Sequence, residues 1–114
     1  MYMILILLTL LVLDGIYLGI HSSFFQKVLT DIQGPMKIRI LPAIFVYVCL
    51  TLLVYKLIQY RVTDKDAFLL GACVYGIYEG TNYAILKGWP PYLFFADTLW
   101  GGILIYLTVR LNRV

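Results

Sequence analysis

Apolar residues fall in four long blocks, at 2–20, 38–60, 67–86 and 92–111, and most polar residues gather between them. A helix needs roughly 20 mostly apolar residues to cross ~30 Å of hydrocarbon, so each block predicts a membrane-spanning helix. The boundaries carry their own punctuation. Gly34-Pro35 precedes the second block, Thr63-Asp64-Lys65-Asp66 caps the third, and Gly88-Trp89-Pro90-Pro91 separates the third from the fourth. The short links at 61–66 and 87–91 force spans two to four to run up and down. The first connector, 21–37, is longer, and Phe24, Phe25, Val28, Leu29 and Ile32 give it one apolar helical face. Ser22 or Ser23 would cap that helix and Gly34 would end it. This spacing predicts a short helix over about 23–33 lying in the membrane interface, with an ordered aromatic loop as the alternative. The expected fold is all-α: one transmembrane domain over 1–114, an up-and-down integral membrane four-helix bundle with that interfacial helix between spans one and two.

Composition supports the membrane class. Of 114 residues, 62% are hydrophobic and 13% charged, and the mean hydropathy is +0.90. A soluble domain is about half apolar and about a quarter charged. The chain has no Gly-rich phosphate loop and no nucleophile elbow, which argues against a soluble enzyme. The lone His21 supplies no metal-ligand set, so neither metal nor cofactor is expected. The net charge of +3 comes from basic residues in loops and near helix ends, which suits membrane lipids as partners and not nucleic acid. Lys56, Arg61, Lys65, Arg110 and Arg113 lie on the side of the termini, against Lys27, Lys37, Arg39 and Lys87 opposite, so five against four favours cytoplasmic termini. No basic n-region or cleavage site marks the first block as a removed signal, so it is expected to be a retained span. Cys49 and Cys73 are expected to be packing residues.

The candidate chemistry lies in three isolated acids, Asp14, Glu79 and Asp97, inside otherwise apolar blocks. A charge at the bilayer centre costs roughly 2.5 kcal/mol or more, so each needs a reason. Asp14 lies six residues before the end of span one, Glu79 seven before the end of span three, and Asp97 five after the start of span four. At ~1.5 Å per residue all three sit about 8–10 Å inside the same membrane face, in one polar layer. Helical spacing puts Tyr17 and His21 on the face of Asp14, Tyr75, Tyr78 and Asn82 beside Glu79, and Trp100 and Gly101 beside Asp97. Gly76 and Gly80 form a GxxxG spacing that permits close helix approach. The site is therefore expected among spans one, three and four, with Asp14, Tyr17, Tyr78, Glu79, Asn82, Asp97 and Trp100 touching a ligand. Gly76, Gly80, Gly101 and His21 would support them, and span two, with Pro42, Tyr47 and Tyr55, would pack outside. Tyr55, Tyr60, Trp89 and Tyr92 read as interface anchors.

Four motifs follow in order: Asp14-Gly15-Ile16-Tyr17-Leu18-Gly19, Tyr78-Glu79-Gly80-Thr81-Asn82, Leu86-Lys87-Gly88-Trp89-Pro90 and Asp97-Thr98-Leu99-Trp100-Gly101. Together they resemble a family of small predicted membrane proteins, domain of unknown function 2177, over essentially the whole chain. Bacterial members usually show Asp-x-x-Trp-Leu-Gly in the first motif and Tyr-Asp-x-Thr-Asn in the second, where this chain has Tyr17 and Glu79. Both changes keep the chemical type, so the resemblance implies that the fold and polar site are retained. It implies no activity, because the family has none assigned.

Carboxylates at close quarters in a low dielectric cannot all ionise, so a shared proton, a cation or a bound group must accompany them. One function consistent with this is binding or processing a lipid or other amphiphile just below the headgroups. A second is a structural or accessory subunit whose acids are interhelical hydrogen-bond glue, working as a homo-oligomer or with a partner membrane protein. A third is proton or cation translocation. Neither catalysis nor its absence follows from these residues.

Overall fold

The computed structural model describes residues 2–33 and 40–112. Four helices account for nearly all of them: α1 Tyr2–Gln33, α2 Ile40–Gln59, α3 Asp64–Ile85 and α4 Pro91–Asn112. Three contain segments long and apolar enough to cross a membrane, Met3–His21, Ile40–Gln59 and Pro91–Asn112. The fourth, α3, has the same 22-residue length as α4, but Asp64, Lys65, Asp66, Glu79 and Asn82 make it more polar.

The segment expected as a separate interfacial helix is helical, but α1 runs through it without a break. No proline interrupts the ladder between Ile20 and Gln33, and His21 Nδ1 lies 3.1 Å from the Tyr17 carbonyl one turn earlier. Neither Ser22 nor Ser23 therefore caps a new start. At ~1.5 Å per residue the 32-residue helix is about 48 Å long, well beyond ~30 Å of hydrocarbon. The side chains of Phe25, Val28, Leu29 and Ile32, and all of Gly34, lie outside the described residues.

Sequence dictates the later helix ends closely. At the end of α2, Arg61 takes φ 53°, its N–H donates to Ile58 O, and the Val62 N–H reaches back to Leu57 O. This is a Schellman cap with arginine where glycine is usual. Thr63 then caps α3 by accepting from the Asp66 N–H at 3.1 Å, and Asp64 and Asp66 oppose the helix dipole. Gly88, at φ 86°, turns the chain into Pro90-Pro91, and proline suits the first turn of α4. An exposed ion pair, Arg110 to Asp64 at 2.8 Å, joins the end of α4 to the start of α3.

The interior is divided by depth. Ile6 and Leu10 of α1, Leu50, Val54 and Leu57 of α2, Ala67 of α3 and Leu104, Ile105 and Val109 of α4 form an apolar core in the half holding the N-terminus. The buried acids occupy the other half. Helix α4 is the hub: α1, α2 and α4 pack mutually, while α3 packs chiefly along α4. Cys49 and Cys73 are free thiols exposed on the outer surfaces of α2 and α3, not packing residues.

The α3–α4 contact is made by small residues. A Cβ on Gly71 would collide with the Gly101 carbonyl oxygen and lie 2.7 Å from Ile105 Cβ. One on Gly101 would strike the Tyr75 ring, and one on Gly102 would lie 2.8 Å from Phe68. By contrast, Gly15 has nothing within 4 Å. Gly71→Ala is therefore expected to lower stability by about 1–3 kcal/mol through overpacking. Gly15→Ala is expected to leave it unchanged or raise it by up to about 1 kcal/mol through helix propensity. Thermal unfolding of both variants in mild detergent checks the pair.

Candidate functional site

Asp14 and Asp97 are each 8% exposed, and Glu79 is fully buried. Interior acids on transmembrane helices must draw donors from neighbouring helices, because their own backbone N–H groups are already used in the helix. Asp14 of α1 receives the Tyr47 hydroxyl of α2 on Oδ2 at 2.5 Å and the Trp100 indole N–H of α4 on Oδ1 at 3.1 Å. One carboxyl thereby ties three helices together. Asp97 of α4 receives the Tyr17 hydroxyl of α1 on Oδ1 at 2.5 Å. The Tyr17 ring lies parallel to Trp100, with centroids 4.7 Å apart, and against His21 at 4.4 Å. His21 Nε2 meets the Tyr92 hydroxyl at 3.0 Å, and Tyr92 packs edge-on to Phe24. An aromatic and hydrogen-bonded wall thus leads from the C-terminal half of α1 down to the acids.

Glu79 differs from the other two. Asp97, Trp89 and Asn82 are the polar side chains against its carboxyl. None completes a hydrogen bond in the described geometry, so both Oε1 and Oε2 are buried without a partner. The indole Nε1 of Trp89, a residue only 5% exposed, is likewise buried and unpartnered. These buried polar atoms lie together where α3 and the loop joining it to α4 meet.

Of the residues expected at the site, Asp14, Tyr17, Asp97 and Trp100 form one connected network, and Glu79 and Asn82 adjoin it through Asp97. Tyr78 does not join them: it is 64% exposed on the outer face of α3. Gly101 is a tight α3–α4 contact, whereas a Cβ on Gly76 or Gly80 would meet only Thr98 at 3.5 Å or Phe94 at 3.9 Å. Span two does not lie outside the network, because Tyr47 makes one of its two shortest hydrogen bonds. Trp89 is buried and is no surface anchor, although Tyr60 and Tyr92 are exposed. Tyr47 was findable: seven residues into α2 it lies ~10 Å deep, level with the acids.

The opposite half of the bundle offers no comparable polar chain among the described residues. Thr9 donates to Leu5 O, Thr51 to Tyr47 O and Thr108 to Leu104 O, each within its own helix. The Asn112 amide reaches Thr9 Oγ1 at 3.2 Å and secures α4 to α1 at that end. No group of three or more potential metal-ligating side chains occurs among the described residues.

Long apolar helices packed around hydrogen-bonded interior acids define a helical membrane protein. A family model described as "Predicted membrane protein (DUF2177)" matches residues 1–111, and the chain belongs to that family. No curated protein and no solved structure matches it.

The Asp14 clamp is directly measurable. In a double-mutant cycle, Tyr47→Phe and Asp14→Asn are expected to show a coupling of about 0.6–1.7 kcal/mol, the scale of interhelical hydrogen bonds in membranes. Tyr47→Phe and Asp97→Asn, which share no hydrogen bond, are expected to add within about 0.5 kcal/mol. Detergent unfolding of the two cycles decides between one continuous glue and separate clamps.

Proposed function

We propose that this membrane protein binds the polar group of a lipid or other amphiphile at Glu79, about 10 Å below the membrane face. On this reading α3 is a fourth span, its 22 residues covering ~33 Å. Both termini then share one side, which the slight excess of basic residues assigns to the cytoplasm. The observation that carries the proposal is the set of unpartnered polar atoms on Glu79 and Trp89. Each buried polar group left without a hydrogen bond costs about 1–3 kcal/mol, and a bound headgroup would relieve several at once. Asp14 and Asp97 play a different part. With donors supplied by Tyr47, Trp100 and Tyr17, they position the helices that frame the pocket.

A second reading is favoured by those same bonds. A carboxyl that links three helices is what a scaffold or accessory subunit needs, with no ligand involved. The two readings diverge at Glu79. If it binds a headgroup, Glu79→Gln is expected to leave thermal stability unchanged or raised, while lipid that co-purifies with the parent is lost. If it is glue, the same variant keeps its lipid and is destabilised. Mass spectrometry of extracted lipid, beside the unfolding curve, separates them.

A further inference from the structure

The end of the bundle away from Glu79 holds a second arrangement. An open cleft of about 360 Å³, lined by Asp64, Lys65, Phe68 and Tyr106, lies where the start of α3 is tied to the end of α4. That volume falls within the ~300–1,000 Å³ of small-ligand sites. Taking α3 as the fourth span, as above, we propose that this cleft binds an anionic phospholipid. Its phosphate would sit at Lys65 and Arg110, with an acyl chain against Phe68 and Tyr106. The residues follow one another in the order an amphiphile requires. Lys65 and Arg110 stand at the membrane face, in the first turn of α3 and the last turn of α4. Phe68 is three residues deeper than Lys65, and Tyr106 four deeper than Arg110. At ~1.5 Å per residue the two rings begin about 4–6 Å below the charges.

Charge selects the headgroup. The Asp64 carboxylate is met by Arg110 at 2.8 Å, so it does not cancel the ammonium of Lys65, which pairs with no acid among the described residues. Asp66, the other acid of that turn, does not line the cleft. Arg110 gives Asp64 one hydrogen bond, through Nη1, and its half-exposed guanidinium carries further N–H donors that a phosphate can accept from. The ion pair therefore holds the Arg110 fork at the rim, and Lys65 supplies the surplus positive charge. A choline lipid brings a cation of its own to that rim and loses the advantage. A soluble phosphate has no chain to set against Phe68 and Tyr106.

The test titrates dioleoylphosphatidylglycerol, dioleoylphosphatidylcholine and glycerol 3-phosphate into the full-length protein in mild detergent, and the rise in Tm gives the apparent affinity. Phosphatidylglycerol is expected to bind about fivefold more tightly than phosphatidylcholine, the scale of one basic residue at a membrane surface. Glycerol 3-phosphate is expected to leave Tm unchanged. Lys65→Gln is expected to erase the preference while phosphatidylcholine binding stays. Lys56→Gln, in the last turn of α2 on the same membrane face, is expected to keep it. Equal affinity for the two lipids overturns the proposal. So does an equal loss in both variants, which marks diffuse attraction to the basic face. If glycerol 3-phosphate binds as tightly as the lipid, the lipid assignment falls and the site takes a soluble phosphate. The comparison of probes on the parent protein decides even if a variant fails to fold. None of these measurements touches Glu79, so this proposal and the headgroup reading there fail separately.

Discussion

A carboxyl group below the membrane surface has few sources of hydrogen bonds, and that scarcity organises this molecule. Backbone donors within a helix are committed to the ladder, and lipid offers none. Asp14 therefore draws on α2 and α4 at once, through Tyr47 and Trp100, and the three helices must meet where those side chains reach it. The apolar core in the opposite half is compatible with many small shifts of register, because leucine against leucine is permissive. The bonds to Asp14 and Asp97 are not. They fix how far α1 is inserted relative to α2 and α4, as one buried polar pair can fix register in a coiled coil.

Helix α3 obeys a second constraint. It lacks the apolar surface of the other three, and it packs chiefly against α4. Lipid tails are as apolar as leucine, so hydrophobicity alone would not hold it there. Close approach does, through dispersion contacts made where Gly71 meets the Gly101 backbone and where Tyr75 and Phe68 lie over Gly101 and Gly102. The same proximity brings Glu79 against Asp97. A polar helix is tolerated because its interior acid faces the hub helix while Tyr78, Ile77 and Leu69 face outward.

Much of the architecture was legible because periodicity and punctuation are local. The all-helical class follows from four apolar blocks, and the Thr63 cap and the Gly88 turn follow from residue types with few other uses. The fusion of segment 23–33 with the first helix was not legible, since His21-Ser22-Ser23 is polar without being a helix breaker. Depth along the helices aligns the three acids because their charge marks them in an apolar block, whereas Tyr47, at the same depth, carries no charge to mark it. Helical spacing grouped Tyr78 with Glu79, yet neighbours on a helical wheel need not point inward together, and only packing distinguishes them. Trp89 was hidden for another reason. A tryptophan beside prolines at a span end ordinarily anchors at the interface, and nothing local says that the loop folds inward.

The three acids, alike in sequence, are unlike in what they do for the fold. Asp14 is matched by donors from two helices and Asp97 by one, so removing either leaves a neighbouring hydroxyl or indole without its acceptor. Glu79 lies against Asp97, Trp89 and Asn82, yet its oxygens complete no well-formed hydrogen bond with them. A folded domain is stable by only about 5–15 kcal/mol, and unmet buried polar groups at about 1–3 kcal/mol each consume a large share of that margin. A leucine at position 79 would remove the cost with one substitution. Under the headgroup reading proposed above, that cost is what a group entering from outside would relieve.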